Sequence, residues 1–248
     1  MKILVLLKNI LDPRGMMINR KAGKVFINKK EWMLNPSDAR ALEAGLKIKD
    51  ALNGDGVRSA VVIAAAVGDD VTANLLRDAK ALGVDRAILI SNLQSPTPKA
   101  FSALATHLGD VDLIFTGGSA LDTGENIGAQ IAEGLNFAFI GGAVECKVEN
   151  NVVRATRRDD PAGRLYNGYD CDLPAVVTFS REAPSLRYAH GGDIIIAYRD
   201  KNAVETISAD DLGLTDLQPV VVERGQSTPP EREFGKQVSV EEVANKIR

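Results

Sequence analysis

The sequence has 248 residues, of which 45% are hydrophobic and 25% charged, and this composition excludes a chain that is disordered throughout. The 33 acidic residues outnumber the 30 basic ones, which argues against a protein that binds nucleic acid through its phosphates. Two cysteines and two histidines are too few for a disulfide framework or a histidine-rich zinc site. The longest apolar run, residues 60–67, is too short to span a bilayer, and no secretory signal is visible. We therefore expect a cytoplasmic protein that is not inserted in a membrane.

Short apolar runs alternate with amphipathic segments over residues 1–140. Asn35 and Pro36 are typical of the cap and first position of a helix, and Asp38 favours the positive end of its dipole. Strands that alternate with crossover helices predict an α/β fold with a doubly wound, mainly parallel sheet. The predicted strands are 2–8, 59–66, 86–90 and 111–116, the predicted helices begin at 36, 69, 99 and 126, and a hairpin is predicted over 16–28.

The pattern changes after residue 140. Residues 143–149, 152–157 and 166–172 alternate apolar and polar side chains, which predicts antiparallel strands added to the main sheet, and 173–178 is a further buried strand. Prolines and few periodic apolar positions follow residue 199. We therefore predict a nucleotide-binding α/β domain over 1–199. Residues 200–248 are predicted to form an extended arm and a short helix, capped by Ser239 and Glu242, that contact a partner subunit.

Three loops follow predicted strands, at residues 7–12, 65–69 and 116–128. In doubly wound sheets, ligands bind beyond the carboxyl ends of the strands. The third loop is rich in small residues, which allow a close approach of the backbone, and it precedes a helix start that can bind an anion. Thr123 and Asn126 could donate hydrogen bonds to phosphate or ribose. The loop lacks the Walker and dinucleotide fingerprints, so an ordinary strand-to-helix connection remains the alternative.

Residues with catalytic chemistry are few. His107 is predicted to lie on an exposed helix face, and His190 lies in a segment rich in small residues. Cys146 is expected to pack in a strand, and Cys171 has no obvious activating base. No serine, histidine and aspartate order and no metal-ligand spacing is present in the sequence. These residues predict a protein that holds a nucleotide and has no catalytic residues of its own.

Several motifs, taken in their order, resemble the beta subunit of electron-transfer flavoprotein. The similarity runs from the first strand to the final helix, so it covers nearly the whole chain. The matching segments are the strand ending in Lys8, Asn35-Pro36 with 41–44, 81–87, the loop 116–128, 173–178, 187–189 and 209–213.

The resemblance implies a heterodimer with an alpha subunit, with a redox FAD shared between the two chains. It also implies AMP, or a second FAD, bound within this chain. The loop before Gly128 is one residue shorter than is common in the family. The cofactor-binding positions implied by the resemblance are Leu7, Asn35, Val67, Asp122, Thr123, Gly124, Glu125, Asn126, Ile127 and Gly128.

The resemblance further implies a recognition loop for a dehydrogenase partner, formed here by Arg187, Tyr188, His190, Gly191 and Ile194. Gly191 stands where the family has an anchoring leucine. A glycine cannot fill an apolar pocket, so we expect the loss of about 1.5–3 kcal/mol of contact and a non-standard redox partner.

Two other interpretations remain open from the sequence. A sensor or hydrolase similar to universal stress proteins would form homodimers and turn over ATP, but the predicted C-terminal arm argues against such a compact domain. The second interpretation is a structural relative that has lost its ligand, and it stays open because the loop before Gly128 is short.

Overall fold

The computed structural model describes residues 1–19, 21–27, 29–54, 59–93, 95–123, 126–160, 162, 164–214, 235 and 238–247. The chain divides into a larger unit, Met1–Asp12 and Glu31–Val222, and a smaller unit, Pro13–Lys30 and Glu223–Arg248.

The described residues form thirteen strands and six α-helices. The strands are β1 (Lys2–Leu6), β2 (Asn9–Leu11), β3 (Met16–Asn19), β4 (Lys24–Ile27), β5 (Trp32–Leu34), β6 (Val61–Val67), β7 (Arg86–Ser91), β8 (Leu113–Gly117), β9 (Ala138–Glu149), β10 (Val152–Arg158), β11 (Tyr166–Asp172), β12 (Ala175–Phe179) and β13 (Glu205–Ser208). The helices are α1 (Pro36–Gly54), α2 (Asp70–Ala81), α3 (Pro98–Leu108), α4 (Gly128–Leu135), α5 (Gly191–Arg199) and α6 (Val240–Ile247).

The larger unit is built on a nine-stranded sheet with the order β11-β10-β9-β12-β8-β1-β6-β7-β13. In the part of the sheet that runs β9-β12-β8-β1-β6-β7-β13, every neighbouring pair of strands is parallel. Strand β10 pairs antiparallel with β9 and with β11. The chain passes from β1 to β6 and β7 on one side and then to β8 and β12 on the other. The strand order therefore reverses between β1 and β8, which confirms the predicted doubly wound fold and defines its ligand-binding edge.

Helices cover both faces of the sheet because its central strands are apolar on both sides. Ile3 and Val5 of β1 pack in one core with Leu42 of α1 and Leu76 of α2. Leu4 and Leu6, which point the opposite way, pack in a second core with Phe101 of α3 and Ile131 of α4. Continuous apolar runs such as β1 are typical of strands buried on both faces.

Several predicted boundaries differ from the structure, and two of these differences change how an element is built. Strand β9 begins at Ala138, and its first residues pair parallel with β12 before a register shift. Gly142, with φ of +73°, lies at this irregularity, which is a β-bulge rather than the start of a new motif. The helix predicted from Asn126 begins at Gly128, and Asn126 precedes it.

Part of the predicted C-terminal arm lies on the sheet. Strand β13 pairs parallel with β7, and Arg86 forms a two-pronged ion pair with Glu205 at distances of 2.9 and 2.7 Å. The larger unit thus continues beyond residue 199. Contact of the remaining arm with a partner stays a prediction, and residues 215–234 lie outside the described residues.

The smaller unit contains the predicted hairpin, with β3 and β4 paired from Met16 opposite Ile27. Its helix α6 has the predicted capping box. The Glu242 amide donates to Ser239 Oγ at 3.2 Å, and the Ser239 amide donates to Glu242 Oε2 at 3.0 Å.

Candidate functional site

A cleft of about 640 Å³ opens at the carboxyl ends of the parallel strands. This volume lies within the range of small-molecule sites, roughly 300–1,000 Å³. Its wall is formed by the segments that follow β1, β6, β7 and β8, together with the starts of three helices. The lining includes Lys8, Trp32, Val67, Gly68, Asp69, Thr72, Ser95, Pro96, Thr97, Pro98, Asp122, Thr123, Asn126, Ile127 and Gln130. The space is therefore large enough for a nucleotide.

The crevice between the ends of β1 and β8 is much smaller, with a volume of about 30 Å³. Leu7 and Asn35 line it and are buried, and Ile127 lines both spaces. The Asn35 amide group donates to the Ser119 carbonyl at 3.0 Å, and its Oδ1 accepts from the Leu121 amide at 3.3 Å. Asn35 therefore holds the loop after β8, which replaces the predicted role of its side chain as a helix cap.

Lys8 connects two walls of the cleft. Its ammonium donates to Asp122 Oδ1 at 2.9 Å and to Thr123 Oγ1 at 3.2 Å. The Lys8 side chain is 20% exposed and the Asp122 side chain 41% exposed, so this ion pair is accessible to solvent. Among the described lining residues, Lys8 is the one cation. An anionic ligand would therefore compete with Asp122 for the ammonium.

Asp38 joins the ends of the two central strands from the first turn of α1. Its Oδ2 accepts from the Lys8 amide at 2.9 Å, and its Oδ1 accepts from the Gly117 amide at 2.8 Å. Burial raises the pKa of the Asp38 carboxyl to about 7, although its hydrogen bonds with Gly117, Asn35 and Lys8 oppose this shift. The strand ends at the switch point are thus held by a carboxyl whose pKa is near neutrality.

Three helices begin at the cleft, and their starts differ in capping. Asp69 caps α2 by accepting from the Val71 and Thr72 amides, and Thr97 caps α3 by accepting from the Ala100 amide. Ile127, at the same position before α4, makes no side-chain cap. Helix starts carry a partial positive charge and free amides. The start of α4 thus lacks, at Ile127, the side-chain cap that Asp69 and Thr97 give the starts of α2 and α3.

Gly128 packs closely against the sheet at this helix start. A Cβ built on it would lie 2.3 Å from Thr178 Cγ2 and 3.3 Å from Thr116 Cγ2. The Gly128 amide donates to Asn126 Oδ1 at 3.2 Å, so a ligand would have to displace Asn126 to bind this amide. The absence of a side chain at residue 128 thus sets the position of α4 and, with it, one wall of the cleft.

The predicted cofactor-binding residues fall into three groups. Val67, Asp122, Thr123, Asn126 and Ile127 line the large cleft, and Leu7 and Asn35 line the small crevice. Gly128 lies behind the wall at the start of α4. Gly124 and Glu125 lie outside the described residues.

The segment 95–98 after β7 also lines the cleft, and sequence reasoning missed it. The signal was its place after a parallel strand, because every such strand end contributes to the same edge of the sheet.

Arg187, predicted to bind a partner, is engaged within the chain. Its Nε and its backbone amide each donate to Glu43 Oε2 at 3.0 Å, and its Nη2 donates to Glu43 Oε1 at 3.2 Å. Its Nη1 also lies 2.8 Å from Asp50 Oδ2. Pairing with Glu43 raises the pKa of Arg187. Arg187 therefore anchors the segment before α5 to helix α1.

The other predicted partner-binding residues lie on or before α5, which is a helix where the sequence indicated a loop. Tyr188 is fully exposed, and His190 caps the helix by accepting from the Gly192 amide at its Nδ1. A Cβ on Gly191 would meet nothing within 4 Å. Ile194, Ile195 and Ile196 are 40%, 52% and 67% exposed. The segment thus presents an apolar surface, which we call the α5 surface (Tyr188, Ile194, Ile195 and Ile196).

The cysteines are not poised for nucleophilic chemistry. Burial raises the pKa of the Cys146 thiol to about 12, and burial also raises the pKa of Cys171. Thiolates are the reactive form, so a raised pKa disfavours nucleophilic chemistry at both side chains. Within the described residues, no helix is long and apolar enough to cross a membrane.

The chain is similar to known proteins over nearly its full length. A model of the electron transfer flavoprotein domain matches residues 23–212. The chain is 28% identical to caffeyl-CoA reductase-Etf complex subunit CarD of Acetobacterium woodii, with 100% of this chain and 96% of the relative aligned. It is 29% identical to electron transfer flavoprotein subunit beta of Bacillus subtilis, with 95% and 91% aligned. It is 25% identical to protein FixA of Bradyrhizobium diazoefficiens, with 97% and 84% aligned.

Proposed function

The chain belongs to the electron transfer flavoprotein family, as a beta-type subunit, and on this premise we propose that its cleft binds the adenylate part of AMP or of a second FAD. The chain would pair with an alpha-type subunit and share a redox FAD with it. The heterodimer would carry electrons between a dehydrogenase and an acceptor.

The observation that carries the proposal is the chemistry of the cleft wall. The start of α4, where Ile127 makes no side-chain cap and, among the described residues, Asn126 accepts from the Gly128 amide alone, faces the same space as the ammonium of Lys8. Positive potential from both sources favours a phosphate. Val67 and Ile127 supply apolar contact suited to a purine, and Thr123 supplies a hydroxyl. The residues present therefore fit an adenine nucleotide in size and polarity, and a phosphate that displaces Asp122 would gain the Lys8 ammonium as its cation.

In this proposal the protein residues bind and orient the nucleotide, and they make or break no covalent bond. A bound flavin supplies the redox chemistry itself, and the protein sets its position and electrostatics. Lys8 would hold a phosphate, and Asn35 and Asp38 would fix the loops on either side. Family membership favours this function over an ATP-hydrolysing sensor. Among the described residues that line the cleft, the carboxylates that could act as a base are Asp69, which caps α2, and Asp122, which pairs with Lys8.

Co-expression of the full chain with an alpha-type subunit tests the proposal. An absorbance spectrum and a count of flavin and AMP in the denatured extract distinguish its two forms. One flavin with AMP indicates simple electron transfer, and two flavins indicate a second FAD in this chain. A heterodimer whose beta-type subunit carries neither AMP nor flavin would contradict the proposal.

Replacing Lys8 with methionine is expected to weaken AMP binding about tenfold, or about 1.4 kcal/mol, because the one cation of the described lining is lost. Stability should change by less than about 1 kcal/mol, since the Lys8–Asp122 pair is partly exposed. Calorimetric titration of the full chain measures the affinity. Adenosine, which lacks the phosphate, is the matched control and should bind both proteins equally. Equal AMP affinity of the two proteins would remove Lys8 from the phosphate site.

The α5 surface is proposed to contact the redox partner. Ile196→Ser should leave stability within about 0.5 kcal/mol, because the side chain is 67% exposed, while slowing electron transfer with the native partner. Ile196→Leu keeps the apolar area and serves as the control. Unchanged transfer rates in Ile196→Ser would place the partner elsewhere.

Gly191→Leu tests the departure in the recognition segment. The structure has room for the new side chain, so the fold should tolerate it. Affinity for an ordinary acyl-CoA dehydrogenase should rise, as surface plasmon resonance can measure. Affinity unchanged by the substitution would count against a missing leucine anchor.

A further inference from the structure

Asp38 occupies a position that packing alone does not explain. Asp38 is only 4% exposed, and its carboxyl reaches from α1 to Lys8, two residues beyond β1, and to Gly117, the last residue of β8. Burial of a carboxylate without a directly bonded cation is costly, and the raised pKa of Asp38 reflects this cost. Groups of this kind cluster at functional sites.

The local backbone is shaped around this carboxyl. A Cβ on Gly117 would lie 2.4 Å from Asp38 Oδ1 and 2.6 Å from Ser37 Cβ. Only a glycine therefore lets the end of β8 approach the carboxylate closely enough for its amide to donate. The two accepting oxygens serve different strands, so both strand ends depend on one side chain.

The contacts of Lys8 extend this link to the cleft. The Lys8 amide is held by Asp38, while the Lys8 ammonium contacts Asp122 and Thr123 on the opposite wall. Asp38 itself also accepts a hydrogen bond from Asn35, whose side chain holds the loop after β8. The segments after β1 and β8 are thus connected through one buried group.

We propose that Asp38 is the positioning residue of the nucleotide cleft, and that its ionised carboxylate holds the ends of β1 and β8 in the arrangement that binds nucleotide. Asp38 acts through the Lys8 and Gly117 backbone and is not assigned a contact with the ligand. The inference rests on the proposed nucleotide site. An ionised carboxylate has an acceptor for each amide, whereas protonation turns one oxygen into a donor and weakens that bond.

The sign of the pH effect follows from the raised pKa. Between the ordinary pKa of an aspartate and about 7, the folded chain binds more protons than the unfolded chain at this site. The contribution of Asp38 to stability therefore falls as the pH rises through this window, while nucleotide binding improves. The charged group acting on Asp38 is the Lys8 ammonium from the end of β1. The Gly117 amide of β8 and the Asn35 side chain before α1, which also face it, do not titrate.

The test compares binding of AMP to the full chain at pH 6 and pH 8 by calorimetry. Binding by the wild type should be about tenfold weaker at pH 6, because about a tenth of the carboxyl is ionised one unit below its pKa. Asp38→Asn should bind weakly at both pH values, with a flat profile for adenosine, which has no phosphate to titrate. The AMP phosphate titrates in the same range, so adenosine is run in parallel. Asp110→Asn is the matched control, since Asp110 is exposed near the other end of β8 and has a φ of +45° that asparagine adopts readily.

A second measurement keeps the inference falsifiable if Asp38→Asn fails to fold. Hydrogen-exchange protection of the Lys8 and Gly117 amides in the ligand-free wild type, corrected for intrinsic rates, should fall on going from pH 8 to pH 6. The same pH profile in Asp38→Asn as in the wild type, or protection that does not change with pH, would overturn the proposal for Asp38. Failure of the wild type to bind AMP or adenosine at pH 8 would instead contradict the proposed function.

Discussion

Gly128→Ala is expected to lower the free energy of unfolding by about 1–3 kcal/mol, the usual cost of overpacking, and to abolish retention of the nucleotide. The new Cβ would lie 2.3 Å from Thr178 Cγ2, in a part of the core where Thr178 is fully buried. Relief of this clash requires the start of α4 to move away from the sheet. Because that helix start forms one wall of the cleft, the proposed phosphate position moves with it. Urea denaturation and the nucleotide content of the purified protein measure the two effects.

Thr178→Ser provides a control for this prediction. The substitution removes the clashing methyl group and keeps the hydroxyl that accepts from the Gly142 amide at 3.0 Å. In the Gly128→Ala background it should recover a large part of the lost stability. The loss that remains is expected from the 3.3 Å contact between the new Cβ and Thr116 Cγ2. A double-mutant cycle gives the coupling between the two positions. Additive losses would show that the clash is not the cause.

Arg187→Ala is expected to lower the free energy of unfolding by about 2–3 kcal/mol, less than for a fully buried ion pair because Arg187 is 33% exposed. The substitution leaves the carboxylate of Glu43, a side chain only 6% exposed, without its guanidinium partner. The segment that carries Tyr188 should also lose its anchor on α1. Binding to the redox partner is therefore expected to weaken together with stability.

Two variants separate the causes of the Arg187 effect. Asp50→Asn removes the exposed carboxylate that pairs with Arg187 and should lower the free energy of unfolding by less than about 0.5 kcal/mol. Glu43→Gln removes the buried charge, so the further loss caused by Arg187→Ala in that background should be smaller. An equal loss in both backgrounds would show that Arg187 stabilises the chain by other contacts.

Local sequence patterns predicted most of the fold. The apolar run of β1 and the amphipathic run predicted as a helix from Asp69 are local features, and both elements occur in the structure, with Asp69 as the cap of α2. The bulge at Gly142 could not be predicted, because β9 pairs with β12 and β10 in different directions, and only the assembled sheet shows this. The helix over Gly191–Arg199 was missed because the glycines at its start indicated a loop.

The site was less accessible to sequence reasoning because it depends on contacts between distant residues. Asp38 at a helix start is usually interpreted through the helix dipole, yet here it accepts from the amides of Lys8, just after β1, and of Gly117 in β8. Arg187 and Glu43 are 144 residues apart, and no local pattern links them. The resemblance to a family placed both regions near functional surfaces, but their hydrogen bonds appear only in the folded chain.

A crystal structure of the full chain grown with AMP tests the central claim most directly. We expect the adenylate in the cleft bounded by Lys8, Val67 and Thr123, with its phosphate near the start of α4. Nucleotide density at a different place, or a cleft filled by side chains of the chain itself at saturating AMP, would contradict it.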